Sequence, residues 1–205
     1  MWIDITMPLS KMMAVWPGDT PFQYKLDANL QTDGANVGQI QMSLHAGTHV
    51  DAPYHYDDFG KAIDSLPLDL FIGSVKIVDV THIERITLDI VRQFELQGVR
   101  RLFFKTKEVY DYFTFHEQFV TFEPQVIYYL KEHGVDLIGT DAPSIDALGD
   151  DSLQAHHACR SCDMLIVENL YLKDVMPGDY EFIGLPLPIQ GGDASPIRAV
   201  IRKAV

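Results

Sequence analysis

The sequence predicts an α/β fold built on a mixed sheet. Three observations carry this: apolar runs of strand length, capped amphipathic segments between them, and the alternation of the two from Ile72 to Gly139. Strands that alternate with helices form parallel sheets joined by right-handed crossovers. No linker or compositional break divides the chain, so residues 1–205 are expected to form a single domain, long enough for a substantial core.

In chain order, Trp2 to Ile5 reads as an early strand. After a turn-rich stretch around Asp33-Gly34, a longer strand runs up to His45. There Ile40, Met42 and Leu44 alternate with Gln39, Gln41, Ser43 and His45, the period of a half-buried strand. Ile72 to Val80 is a buried strand. Thr87 caps a helix that carries Leu88, Val91 and Phe94 on one side and closes at Gly98. Val99 to Lys105 is the next strand. Thr121 or Glu123 opens a second helix, with Pro124 in its first turn, Val126, Ile127 and Leu130 inward, and Gly134 past its end. Val135 to Gly139 is again a buried strand, and Met164 to Glu168, Tyr180 to Leu185 and Ile197 to Arg202 add later ones.

Composition narrows the function classes. The chain has 29 acidic against 16 basic residues, a formal net charge of -13, which argues against broad nucleic-acid binding. No apolar run approaches the roughly 20 residues that span a bilayer. The opening Met1-Trp2-Ile3-Asp4-Ile5-Thr6 lacks the basic flank and long apolar stretch of a signal peptide, so a cytoplasmic location is expected. Cys159 and Cys162 form a C-x-x-C, the spacing of a redox pair or of half a structural zinc site. With no second pair and no thioredoxin-like setting, they read as incidental thiols, and a cytosolic setting disfavours a disulfide.

The densest chemistry lies in His45-Ala46-Gly47-Thr48-His49-Val50-Asp51-Ala52-Pro53-Tyr54-His55, three of the chain's 8 histidines and a carboxylate within one short stretch. All four side chains share one parity along an extended chain. At about 3.3 Å per residue, His49 and Asp51 stand roughly 6–7 Å apart at Cα, whereas His45 and His49 stand about 13 Å apart, too far to share an ion. The backbone must bend between them, and Gly47 bends at least cost. A helix with His at i and i+4 would also join them, but Gly47, Thr48, Val50 and Pro53 make a poor helix.

The string H-x-G-T-H-x-D-x-P-x-H resembles the signature of the cyclase family of metal-dependent hydrolases. The resemblance continues through Val15-Trp16-Pro17-Gly18-Asp19, Thr140-Asp141-Ala142-Pro143-Ser144-Ile145-Asp146, His156-His157 and Glu168-Asn169-Leu170. It extends through Gly178-Asp179-Tyr180 to Leu185-Pro186-Leu187 and ends in Asp193-Ala194-Ser195-Pro196-Ile197-Arg198-Ala199-Val200. It implies a swivelling β/β/α fold and, residue by residue, a set of roles. His45, His49 and Asp51 match ligands of a first zinc, with Asp51 bridging to a second. Glu168 matches a carboxylate shared by both metals. His156 matches a ligand of the second, with His157 as the neighbour open to confusion with it. His55 matches the proton-shuttling histidine, and Trp16 an aromatic residue lining the substrate pocket. Two Zn2+ per subunit are implied, although imidazole and carboxylate donors also accommodate Mn2+. A homodimer is implied as well.

The activity implied is hydrolysis of an aryl formamide by a metal-activated water, as in the family's arylformamidase branch, which converts N-formyl-kynurenine to kynurenine and formate. The alternatives are a hydrolase of a cyclic amide such as isatin, or a metal-binding protein without turnover. The residue types suit the chemistry: zinc brings the pKa of bound water to about 7, cations stabilise the oxyanion, and an unligated histidine can protonate the departing amine. Chemistry alone is less decisive elsewhere. Trp16 beside Pro17-Gly18 reads equally as a core cover, Tyr54 and Tyr56 as pocket walls or packing, and Asp141, Ser144 and Asp146 as pocket-shaping or turn-forming residues.

Overall fold

The apolar runs that stand out in the sequence become the centre of one large sheet in the computed structural model, which describes residues 1–204. Regular structure starts with β1 (Ile3–Asp4) and the hairpin of β2 (Gln23–Ala28) and β3 (Val37–Gln41), which holds the one-turn helix α1 (Leu30–Asp33). Then follow β4 (His49–Asp51), β5 (Ile72–Asp79), β6 (Arg85–Ile86), α2 (Leu88–Val91), β7 (Arg101–Lys105), β8 (Thr121–Phe122) and α3 (Pro124–Glu132). The chain continues with β9 (Leu137–Thr140), α4 (Gln154–Ser161), β10 (Leu165–Glu168), β11 (Gly178–Ile183), β12 (Ala194–Pro196) and β13 (Val200–Lys203).

Nine strands share the main sheet in the order β1-β13-β11-β5-β7-β9-β10-β4-β12. The four central strands β5, β7, β9 and β10 are parallel, and the strands on both flanks are antiparallel. This is the expected mixed sheet with a β-α-β-α-β centre.

Side-chain alternation gives the sheet two buried faces. Leu102, Phe104, Ile138 and Ile166 face the helices and meet Val91, Val126, Ile127, Leu130 and Ala158. Phe103, Leu137, Leu165 and Val167 face the other way, onto Ile5, Phe71, Tyr180 and Phe182. Burial on both faces is why β9 and β10 read as unbroken apolar runs rather than as alternating ones.

Two expectations differ from the structure, and one helix was not expected. The strand expected to reach His45 stops at Gln41, and the hairpin is exposed along β3 and nearly all of β2. Its alternation marks a two-stranded ribbon with no core layer under it, and the chain has already turned at Ser43, whose amide donates to Thr20 O at 3.0 Å. The helix after Thr87 is a single turn ending at Val91, well short of Gly98. Helix α4 was hidden in the sequence because its buried face is Ala155, His156, Ala158 and Cys159, small or polar residues that give little hydrophobic contrast.

Gly139 in β9 shows how tightly the central strands pack. A Cβ there would lie 2.4 Å from Phe103 Cδ1 and 2.9 Å from Leu170 Cδ1. Gly139→Ala should therefore destabilise the fold by about 1–3 kcal/mol through overpacking, read as a lower urea midpoint at unchanged m-value.

Candidate metal centre

Strand β4 positions the first part of the site. It lies between β10 and β12, with His49 opposite Glu168 and Asp51 opposite Ile166. Cross-strand partners point to the same face of a sheet, so His49, Asp51 and Glu168 share the face that carries the helices, while Val50 and Val167 fill the opposite core. Gly47 supplies the bend with a left-handed φ of 72°, which brings His45 back over the strand. Its carbonyl also accepts a hydrogen bond from His49 Nδ1 at 2.9 Å, leaving Nε2 free to face the carboxylates.

Helix α4 supplies the other part. Asp146, in the loop between β9 and α4, accepts hydrogen bonds from the amides of Ala155 and His156, both at 3.0 Å. The same carboxylate meets His156 Nδ1 at 2.7 Å. One side chain thus caps the helix and orients the imidazole, so that His156 Nε2 turns inward. His157 is exposed and takes no part in the cluster.

The ligand-type atoms converge. Asp51 Oδ1 lies 3.0 Å from His45 Nδ1 and 3.2 Å from His49 Nε2. Its other oxygen lies 3.5 Å from His156 Nε2. Glu168 spans the same gap, 3.6 Å from His49 Nε2 through one oxygen and 3.6 Å from His156 Nε2 through the other. Three overlapping donor groups result: His45-His49-Asp51 and Asp51-His156-Glu168, which share Asp51, and His45-His55-Asp193 nearer the surface, which shares His45 with the first.

These residues fit a metal ion on one decisive observation. His49 Nε2 and both carboxylate oxygens of Asp51 are buried and make no hydrogen bond, despite neighbours at 3.0–3.5 Å. Buried polar atoms are normally satisfied. Ligand-type atoms gathered within 4.8 Å of one another without bonding to each other are what a cation site presents. Three imidazole nitrogens and two carboxylates form a donor set suited to a first-row divalent ion.

The electrostatics agree. Burial pushes the Glu168 carboxyl up, and the Asp51 charge pushes it further. Burial also opposes the charge of Asp51, but the His49 imidazole, with those of His156 and His45, holds it well below the usual carboxylate range. Burial works against charge on His45 and His156 too, yet the carboxylates of Asp193 and Asp51 on one and of Asp146 and Asp51 on the other raise each to about 10. The cluster draws in positive charge.

His55 belongs to neither buried donor group, only to the outer one with His45 and Asp193. It ends a short 3-10 turn at Pro53–His55, opens to the cleft, and packs on His45 at 4.0 Å between ring centroids. Burial, reinforced by the His45 and His156 charges, brings it down to about 4, a neutral imidazole. Asp193 reaches both rings, at 3.0 Å from His45 Nε2 and 3.8 Å from His55 Nδ1. Asp193 and Asp146 were legible in the sequence only as members of motifs, and nothing in their local pattern marked them as partners of histidines.

The cluster opens into a cleft of about 1270 Å³ lined by Trp16, Tyr112, Phe115 and Phe119 among others. Trp16 stands edge-on to Phe115 and Phe119 at 5.5 and 6.1 Å. Tyr56 instead packs against His156 at 5.1 Å within the helix-side core, and Tyr54 is exposed, so packing and solvent account for both. Cys159 is buried in the same core, and Cys162 hydrogen-bonds to Ala158 O at 3.1 Å. Neither belongs to the donor groups.

Known proteins share this architecture and this sequence. A kynurenine formamidase of Geobacillus thermodenitrificans is 44% identical over 203 residues, covering 98% of this chain and 97% of that protein. One from Bacillus cereus is 42% identical over 202 residues, with the same coverage. A solved structure described as a potential metal-dependent hydrolase with cyclase activity superposes with a TM-score of 0.86 at 30% identity, covering 100% of this chain and 99% of that one. The family model described as "Putative cyclase" matches residues 3–147. With relatives this similar along nearly its whole length, and with its fold and histidine-carboxylate cluster in place, the chain belongs to the cyclase family of metal-dependent hydrolases.

Proposed function

We propose that this chain is an arylformamidase that hydrolyses N-formyl-kynurenine to kynurenine and formate, with residues 1–205 acting as one domain. The convergence of orphaned buried donors at the foot of an aromatic cleft carries this reading, and the kynurenine formamidases to which the chain is similar supply the substrate. In this reading His45, His49 and Asp51 hold one divalent cation and Asp51, His156 and Glu168 a second, most simply Zn2+, with Mn2+ compatible with the same donors. When bound, the cations supply Lewis acidity, making a water acidic enough to attack at neutral pH and polarising the scissile carbonyl.

The chain's own residues do the rest. Trp16, backed by Phe115 and Phe119, offers an edge-supported aromatic surface for the aryl ring. Asp146 fixes the His156 tautomer and Gly47 O fixes that of His49, so neither ligand has to reorient during turnover. His55 faces the cleft as a neutral base beside the donor groups, placed to take a proton at its ring nitrogen and return it to the departing aryl amine. Asp193, within reach of His55 Nδ1, steadies the imidazolium that forms in between. From the family resemblance, the enzyme is read as a cytoplasmic homodimer.

The direct test compares purified metal-loaded protein on N-formyl-kynurenine and on isatin. Cleavage of the first with little of the second is expected, and the reverse order would transfer the site to a cyclic amide. His55→Ala should lower kcat by about 100- to 10,000-fold while metal content stays at the wild-type level, and loss of metal in that variant would make His55 a ligand instead. Chelation should abolish activity and also lower the melting temperature. A metal held at about a hundred times its Kd contributes about 2.7 kcal/mol, and stripping it leaves Asp51 and Glu168 without that compensation.

A further inference from the structure

Carboxylates surround the cleft. Asp19, Glu84, Glu108, Asp111, Asp150 and Asp151 all line it, and among the described residues Lys107 is the one lysine or arginine that does. Lys25, Lys76, Lys105 and Lys131 all hold carboxylates or carbonyls, and Lys11, Lys61, Lys173 and Lys203 are exposed to water. The Lys107 ammonium has no such partner among the described residues; its one hydrogen bond runs through its backbone amide. It is half-buried, and burial pushes its pKa down against the attraction of Asp141. A desolvated cation without a partner is costly unless something else supplies the counter-charge.

The loop is built to keep this lysine in place. Asp141 accepts hydrogen bonds from Thr106 N at 2.9 Å and Thr106 Oγ1 at 2.5 Å through one oxygen. Its other oxygen accepts from Lys107 N at 3.3 Å and from the Tyr110 hydroxyl. Four donors from Thr106, Lys107 and Tyr110 thus clamp the chain as it leaves β7, and the backbone of Lys107 is fixed beside the cleft.

We propose that Lys107 binds a carboxylate at the far end of the substrate from the scissile amide and thereby selects carboxylate-bearing aryl formamides over bare ones. This rests on the arylformamidase reading, whose substrate carries an α-amino-acid tail beyond its aryl ring. Away from the histidine-carboxylate cluster, which the scissile amide would occupy, an anionic group in this cleft meets the carboxylates named above and a single lysine, Lys107. The flanking Glu108 and Asp111 tolerate the tail's ammonium, which suits a zwitterion better than a simple acid.

Two substrates separate this role from a structural one: N-formyl-kynurenine, and ortho-formamidoacetophenone, which keeps the aryl formamide and lacks the tail. In Lys107→Met the ratio of their kcat/KM values should fall by about 10- to 100-fold, mostly through KM for the tailed substrate, and Lys107→Arg should restore part of it. An unchanged ratio overturns the proposal. Calorimetry on the metal-loaded protein reads the same contact without turnover, with kynurenine and ortho-aminoacetophenone as ligands. Selective loss of kynurenine binding in Lys107→Met supports the proposal. Parallel loss of both ligands, or a wild-type protein that does not bind kynurenine, overturns it. If the wild type cleaves neither formamide, the arylformamidase reading falls, and the calorimetric comparison still decides whether Lys107 holds a carboxylate.

Discussion

Two carboxylates, Asp51 and Glu168, lie side by side in a nearly dry part of the sheet, and the surrounding structure answers the cost of keeping charge there. Removing an ion from water costs several kcal/mol even after relaxation, and two like charges at close range add to it. Imidazoles are the response. His45, His49 and His156 arrive from a bend, a strand and a helix, and each reaches one or both carboxylates within 3.6 Å. Protons alone meet the demand incompletely, because several of the buried atoms remain without a bond. A divalent cation held by these donors would complete the balance.

An outer ring of acceptors extends the same logic. Asp146 holds His156, Asp193 holds His45, and Gly47 O holds His49. Each imidazole therefore has one nitrogen committed outward and the other presented inward, the arrangement that makes a histidine a reliable ligand. Asp146 ties this to the fold, since the same carboxylate starts helix α4. Ligand orientation and helix formation in that segment are one event.

Much of this was readable from residues alone, for physical reasons. The parallel centre announced itself because strands buried on both faces carry unbroken apolar runs, and the bend at Gly47 followed from distances along an extended chain. The pairing of His156 and Glu168 with the first cluster came from family resemblance, since no local pattern encodes a contact across more than a hundred residues. The sequence misled where the usual cue had another source. Alternation in β3 reflected a solvent-exposed ribbon, and α4 escaped notice because a histidine and small residues occupy its buried face. Asp193 needed coordinates, as its partners His45 and His55 lie far from it in the sequence.

The place of β4 in the sheet has a consequence for how the protein comes into being. Residues 49–51 are paired on one side with 166–168 and on the other with 194–196. Such pairings close long loops, and folds that depend on them assemble slowly. During synthesis the histidine-rich segment emerges early and waits for most of the chain before its neighbours exist. Until then it carries His45, His49 and Asp51 without Glu168 or the helix that bears His156. Assembly of the full donor set is therefore a late event, coupled to the closing of the sheet around β4.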